Sequence, residues 1–277
     1  MKIRKSHRVF FSSAVRCSHH EFSPEANWRA FGPAGGGGGC GFNFELSASI
    51  EGSPDPETGW ILSEEDFDAM LREVVQDWDH SFLNDSEPKF KALNPTPENM
   101  VSELFRRIDQ RVGKLRPALQ LVGTRLRQDK NLWVGCEGSG FPLLLTQAFR
   151  IQCVHRHHNP DLSMEENRRL YNKCASMHGH EYTIEVTAQG EVDSETGLVM
   201  KRDEFQQDVE RVLIKPFNQT FLNEIVGNTS GEILTEKWSQ LMRQAWGDKF
   251  AFLVVRETRK NSFVEATNGR ERALLLL

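Results

Sequence analysis

Three histidines in the second half of the chain have the types and spacing of metal ligands. His178 and His180 are two residues apart, so on an extended strand both imidazoles point to the same face. A third imidazole from another strand would complete the set, and His155 is the candidate. Three neutral imidazoles leave a fourth position open, which is typical of catalytic zinc, although they also accept other divalent ions. The same spacing occurs in simple pairs of surface histidines. We expect the neighbouring His157 and His158 to be solvated loop residues.

Cys174 is the cysteine best placed for chemistry. It follows Lys173 and precedes His178 by four residues, and a nearby cation or metal ion favours the thiolate as a base or nucleophile. A buried, unreactive thiol is the alternative interpretation. The five cysteines form no C-x-x-C pair in a chain too large to need disulfide bonds, so we expect reduced thiols.

These residues lie in the second of two similar segments. EGSPDPETGWIL, Glu51–Leu62, resembles GEVDSETGLVM, Gly190–Met200. FDAMLREVVQDWDHSFLN, Phe67–Asn84, resembles FQQDVERVLIKPFNQTFLN, Phe205–Asn223, at nearly the same offset. The sequence therefore predicts two tandem repeats, which we place as follows: a first repeat at 1–134, a linker at 135–143, a second repeat at 144–267 and a tail at 268–277.

Each repeat has the pattern of an α+β unit. Residues alternate between apolar and polar in YTIEVTAQGEV, Tyr182–Val192, which predicts a strand that enters a hairpin. A helical period follows from Phe67 and again from Phe205, and Thr96 is a suitable cap for a second helix. The predicted order is strand, strand, helix, helix, strand, strand. We expect an antiparallel four-stranded sheet with two helices on one face in each repeat.

Four segments of the second repeat resemble the 6-pyruvoyl/6-carboxytetrahydropterin synthase family: FRIQCVHR, MEENRRLYNKCASMHGHEYTIEVTAQGEVDSETGLVM, LIKPFNQTFLN and VVRET. The resemblance implies two tandem tunnelling-fold (T-fold) repeats. It also implies that zinc is bound by His155, His178 and His180 and that Cys174 is the catalytic thiol. Glu257 would anchor the pterin, because a carboxylate accepts two parallel hydrogen bonds from the 2-amino group and a ring N–H.

Each repeat departs from the family pattern in a different place. Where the family has Asp-His, the second repeat has Asn218-Gln219, which cannot shuttle a proton near neutral pH. The first repeat keeps Asp79 and His80. It has lost the other members of the set: Val15, Cys40 and Phe42 stand for the histidines, Gly36 for the cysteine and Arg127 for the glutamate.

Active sites of this family lie between neighbouring subunits, so the resemblance implies one composite site from the two repeats. In that site Asp79 and His80 would transfer protons together with Cys174, while zinc binds the substrate side chain. The implied activity is a lyase acting on 7,8-dihydroneopterin triphosphate. The short spacing from Cys174 to His178 is more similar to the 6-carboxytetrahydropterin branch. The alternatives are 6-pyruvoyltetrahydropterin synthase and a pterin-binding protein without catalysis.

Composition and charge bound the partners and the location. The net charge is −5, so no general basic field is available to hold nucleic acid. No stretch reaches the roughly 18 apolar residues of a membrane span, and the basic amino terminus lacks the apolar core of a signal peptide. We therefore expect a cytoplasmic protein. The resemblance implies a homo-oligomeric ring, such as a trimer of two-repeat chains.

Overall fold

The computed structural model describes residues 1–116, 118–138 and 140–265. Within them the chain forms two compact units. One consists of Met1–Leu145 and Gln189–Glu204, and the other consists of Thr146–Ala188 and residues 205–265. The predicted tail, 268–277, lies outside the described residues.

The strands of the first repeat form four antiparallel neighbours in the order β1-β2-β4-β5, and a two-residue strand, β3, runs parallel to β1. Their bounds are β1 Ile3–Val15, β2 Cys40–Gly52, β3 Ser81–Phe82, β4 Gln120–Arg127 and β5 Leu132–Cys136. Alternate residues of β2, from Phe44 to Ile50, point into the core and are fully buried. The predicted linker thus contributes Gly135 and Cys136 to β5.

The helices of this repeat are α1 Pro24–Phe31, α2 Glu64–Val75, α3 Leu83–Ser86 and α4 Pro97–Leu115, with 3-10 turns at Gly32–Gly35 and Pro88–Lys91. The predicted apolar positions of α2, beginning with Phe67, are buried. Thr96 caps α4 by accepting the backbone N–H of Asn99, as the sequence predicts. α2 packs on β1, α4 packs on β4 and β5, and the two helices contact each other.

The second repeat has the same order. Its strands are β6 Leu143–His155, β7 His178–Gly190, β8 Phe250–Arg256 and β9 Ser262–Val264, and they neighbour one another in that sequence. Its helices are α5 Met164–Tyr171, α6 Arg202–Val209, α7 Lys215–Phe217, α8 Leu222–Val226 and α9 Gly231–Trp246. A 3-10 turn spans Asn172–Ala175, and a π-helical segment, Glu210–Ile214, joins α6 to α7. α9 packs on β8 and β9 and buries Trp238.

The predicted α+β architecture with two repeats is confirmed, and each repeat contributes four main strands that are neighbours in the sheet. The sequence did not predict β3 or the short helices, among them α1 and α5. Each of these two helices begins after a serine cap and ends just before a 3-10 turn that leads into the second strand of its repeat. In the second repeat that connection contains Cys174, so the missed helix α5 positions a candidate catalytic residue.

Candidate metal centre and active-site residues

His155, His178 and His180 form a cluster, called here the histidine cluster. β6 ends at His155, and β7 begins at His178 with His180 two positions further on. The ring centroids are 4.5 Å apart for His155 and His178, and 5.1 Å apart for each of the other two pairs. Their candidate ligand atoms all lie within 4.8 Å of one another. The spacing argument therefore predicted the juxtaposition of the three imidazoles correctly.

Hydrogen bonds to their Nδ1 atoms hold two of these rings in one tautomer. His155 is fully buried, and its Nδ1 lies 3.2 Å from both the carbonyl oxygen and the hydroxyl oxygen of Thr229. Nδ1 of His178 lies 2.8 Å from the Ser176 carbonyl oxygen. Because a carbonyl can only accept, we assign the Nδ1–H to these bonds, which leaves Nε2 of each ring as the ligand nitrogen.

The cluster suits zinc in its charge as well as in its donor atoms. Burial, followed by the neighbouring His178, lowers the pKa of His155 to about 4, so this ring is neutral at pH 7. Burial also lowers the pKa of His180. Neutral imidazoles with an outer hydrogen bond from the second nitrogen are the usual donors of a three-histidine zinc site. A zinc ion bound there would polarise a substrate oxygen.

Glu257 lies beside the histidine cluster, directly after β8. Its Oε1 is 3.7 Å from Nε2 of His180, and its side chain is 13% exposed. Tyr182 donates its hydroxyl to Oε1 at 3.4 Å, and Asn261 donates to Oε2 at 3.4 Å. Burial raises the pKa of Tyr182 well above its usual value, so the phenol stays a donor. Both bonds are long, which leaves the carboxylate able to accept stronger ones.

Cys174 lies in the 3-10 turn after α5 and is half-buried. Its carbonyl oxygen accepts the backbone N–H of His157 at 2.7 Å, which ties the cysteine turn to the segment that follows His155. His157 is also half-buried, and its candidate ligand nitrogen lies within 4.8 Å of a ring nitrogen of His155 and of a carboxylate oxygen of Glu257. His157 lies in a loop, as expected, but it is only half-exposed and its ring centroid is 5.6 Å from that of His155, which the sequence did not predict.

Asp79 and His80 belong to the other compact unit, that of Met1–Leu145. Nδ1 of His80 is 3.0 Å from Oδ1 of Asp79, and the histidine side chain is 84% exposed. Asp79 also accepts the backbone N–H of Ser12 at 2.8 Å, and this bond is the main reason that its pKa is lowered. His80 has a φ of 55°, and its own N–H donates to the Ser12 carbonyl.

The second repeat keeps this backbone geometry with different side chains. Oδ1 of Asn218 accepts the Gln152 N–H at 2.8 Å, just as Asp79 accepts from Ser12. Gln219 has a φ of 57°, and its N–H donates to the Gln152 carbonyl. Asn218 therefore preserves the structural hydrogen bond of the aspartate, while the acid and the imidazole are lost from this repeat.

Two equivalences drawn from the sequence are wrong. The N–H of Cys17 donates to the Ala34 carbonyl at 2.8 Å, which matches the bond from His157 to Cys174. Ala34, and not Gly36, therefore stands where Cys174 stands. Cys40 follows Ala34 by six positions, whereas His178 follows Cys174 by four, so a constant offset fails across this loop.

The residue of the first repeat that corresponds to Glu257 is also not the predicted one: it comes one position after Arg127. Arg127 pairs with Glu45 across the sheet as Arg256 pairs with Thr183, so the register matches Arg127 to Arg256. The next residue, Gln128, donates its N–H to the Leu132 carbonyl, as Glu257 donates to that of Asn261. The first repeat thus has a neutral amide, and no arginine, at the anchor position.

Sequence reasoning also missed two supporting residues. Tyr182 follows the His178/His180 pair by two positions, so strand alternation alone could have identified it as a neighbour on the same face. Thr229 comes from the loop before α9, and no local signal links it to His155.

In the part of the chain that the structure describes, no helix is long and apolar enough to cross a membrane.

Comparison with known proteins assigns the family. The family model for 6-pyruvoyl tetrahydropterin synthase matches residues 6–138 and again 144–267. A 6-pyruvoyl tetrahydrobiopterin synthase of Drosophila melanogaster is 30% identical over 126 residues, which cover 42% of this chain and 75% of the relative. One from Poecilia reticulata is 36% identical over 84 residues, 30% of this chain and 57% of that relative. A solved Caenorhabditis elegans 6-pyruvoyl tetrahydropterin synthase overlaps 50% of this chain and 97% of its own, with 21% identity and a TM-score of 0.45. With both repeats matched by the family model, the chain belongs to the 6-pyruvoyl tetrahydropterin synthase family.

Proposed function

We propose that the chain is a zinc-dependent pterin synthase that converts 7,8-dihydroneopterin triphosphate into 6-pyruvoyltetrahydropterin and inorganic triphosphate. The observation that carries this proposal is the histidine cluster with Glu257 beside it. The short spacing from Cys174 to His178 favoured the 6-carboxytetrahydropterin product. The relatives are named for the pyruvoyl product, and for that reason we prefer the alternative.

Glu257 would orient the substrate through its pterin ring. An ionised carboxylate accepts two parallel hydrogen bonds, and the 2-amino group and adjacent ring N–H of a pterin offer them. The present partners of Glu257, Tyr182 and Asn261, bind it weakly and can remain at its edge. The ring would then lie next to the histidine cluster, where zinc would polarise an oxygen of the substrate side chain.

The reaction requires proton transfers and a leaving group, but no external oxidant or reductant. The first side-chain carbon loses its C–H proton and its hydroxyl proton, and two protons are added to the ring at C6 and N5. The second side-chain carbon loses a proton as the carbon–oxygen bond to the triphosphate breaks, and the resulting enol takes up a proton to become the terminal methyl ketone. Cys174 is the proposed base, since its turn is bonded to the segment that follows His155. General acid–base groups contribute about 10²–10⁴-fold to such steps.

We propose that Asp79 and His80 of the first repeat supply the second proton-transfer group. The supporting observation is that each repeat lacks a different part of the family's residue set. The second repeat has Asn218 and Gln219, in place of an aspartate and a histidine, on an unchanged backbone framework. Each fused repeat is then free to lose what the other provides. The active assembly is proposed to be a homo-oligomeric ring, which light scattering on the purified chain would test directly.

Product analysis separates this proposal from its competitors. The zinc-loaded chain is incubated with 7,8-dihydroneopterin triphosphate, and the triphosphate and carbon products are quantified. The pyruvoyl reaction releases one triphosphate and keeps all three side-chain carbons on the ring. The carboxy reaction keeps only one of those carbons, so a two-carbon fragment must appear. Tight pterin binding without triphosphate release would instead support the non-catalytic alternative.

Glu257→Gln provides the control for the anchor. Glutamine has the same shape but no charge, so it should weaken pterin binding strongly and leave zinc content at one ion per chain. Unchanged pterin affinity in this variant would remove Glu257 from the proposed site. The Gln128 position of the first repeat provides a matched comparison, because Gln128→Glu introduces a carboxylate in the corresponding turn and should leave pterin stoichiometry unchanged.

A further inference from the structure

A second group of metal donors overlaps the histidine cluster. It consists of His155, His157 and Glu257, called here the alternative ligand set. The candidate ligand atoms of these residues lie within 4.8 Å of one another, the same limit that holds for the histidine cluster. Two histidines and one glutamate form a recognised zinc-binding set in their own right.

The residues of the alternative ligand set are held in position, and each is at least partly buried. His155 is fixed by Thr229, and the ring of His157 lies 5.6 Å from it and edge-on to Tyr171 at 5.6 Å. The backbone of His157 is fixed by its bond to the Cys174 carbonyl. Glu257 is only 13% exposed in its side chain. Little ordering of side chains would therefore be needed to bind an ion.

We propose that a divalent cation can be held in two mutually exclusive positions, one on the histidine cluster and one on the alternative ligand set. The positions exclude each other because both use His155, whose Nδ1 is already bonded to Thr229. An ion in the second position occupies the carboxylate of Glu257. If the proposed function is correct, that ion competes with the pterin, so the second position is inhibitory.

Removal of the histidine cluster tests the proposal without any assay of activity. In H178A/H180A the first position retains a single ligand, and a protein with only that site should bind no zinc. The alternative ligand set predicts that this variant still binds one zinc per chain, measured by metal analysis after dialysis and by titration against a chromogenic chelator. Adding H157L or E257Q should each lower that residual affinity by at least about tenfold.

His158 supplies the matched control, because it is the adjacent half-buried histidine and belongs to neither ligand set. H178A/H180A/H158L should therefore bind zinc as H178A/H180A does. Circular dichroism and thermal unfolding check that each variant folds, and H178Q/H180Q, with side chains closer in size, replaces the alanine pair if that pair unfolds. The proposal is overturned if a folded double variant binds no zinc, or if H157L and H158L have equal effects.

The same variants separate the metal position from the proposed function. If H178A/H180A binds zinc through His157 and Glu257 but the zinc-loaded wild type binds no pterin, the second metal position stands and the proposed function fails. If both hold, added zinc should weaken pterin binding to H178A/H180A, and H157L should relieve this competition. A pterin affinity that does not change with zinc in H178A/H180A would overturn the inhibitory role.

Discussion

Replacement of Thr229 by valine removes the hydroxyl group that faces His155 while leaving the shape of the side chain nearly unchanged. Thr229 and His155 are both fully buried. The hydroxyl oxygen lies 3.2 Å from Nδ1 of His155 and donates to the Arg156 carbonyl at 3.0 Å. Two hydrogen bonds of the wild type do not depend on this hydroxyl group and should remain in the variant. Nδ1–H of His155 donates to the backbone carbonyl of residue 229 at 3.2 Å, and the Asn223 side chain donates to the Arg156 carbonyl at 2.8 Å.

The expected effect on zinc follows from this partial loss. Disruption of an outer hydrogen bond to a metal-ligating histidine typically lowers metal affinity by about 10–100-fold. One of the two acceptors of His155 survives in T229V. We therefore expect the zinc affinity of this variant to fall by about tenfold, or about 1.4 kcal/mol, at the lower end of that range. The metal-free protein should lose about 1 kcal/mol of folding stability, since no buried partner is left wholly unpaired.

Competition against a fluorescent zinc chelator measures the affinity, and urea unfolding of the metal-free protein measures the stability. T229S keeps the hydroxyl and should restore the zinc affinity. T235V is the matched control, because Thr235 is also buried and donates to the Gly231 carbonyl in α9, away from the histidines. T235V should lose stability but keep its zinc affinity. Equal zinc affinities for T229V and wild type would refute the argument that Thr229 orients His155.

Two other predictions concern stability and the division between repeats. Burial alone would raise the pKa of Glu103, but hydrogen bonds from three basic side chains, Arg106 foremost, hold it at about 2. The folded pKa is thus depressed, so the wild type should lose up to about 3 kcal/mol of stability as the pH falls from 4.5 towards 2, and E103Q should lose less across this range in urea unfolding. N218D/Q219H should fold with a stability within about 1 kcal/mol of wild type, because Asn218 already makes the hydrogen bond that aspartate makes in the first repeat and Gln219 already has its positive φ.

Two of the three members of the histidine cluster, His178 and His180, could be placed together from sequence because they obey a local rule. Residues two apart on a strand share a face, so His178, His180 and Tyr182 are placed together by strand alternation alone. The tandem repeat was equally visible, since its turns and helices recur at a nearly constant offset. These features need no knowledge of how distant segments pack.

The errors arose where loops of different length change the offset. Gly36 was matched to Cys174, and Arg127 to Glu257, by counting along the chain, whereas hydrogen-bond patterns match Ala34 and Gln128. Contacts made by tertiary packing were also out of reach. Thr229 contacts His155 across 74 positions, and His157 is drawn to the cluster by its bond to the cysteine turn, which no periodicity records.

The proposal that a functional site is divided between the repeats is tested most directly by His80→Ala. Turnover of 7,8-dihydroneopterin triphosphate and zinc content are measured on the same purified sample. A divided site predicts turnover lower by about 10²–10⁴-fold, with one zinc per chain and pterin affinity retained. Wild-type turnover in H80A would contradict it, because the acid–imidazole pair of the first repeat would then have no part in the reaction.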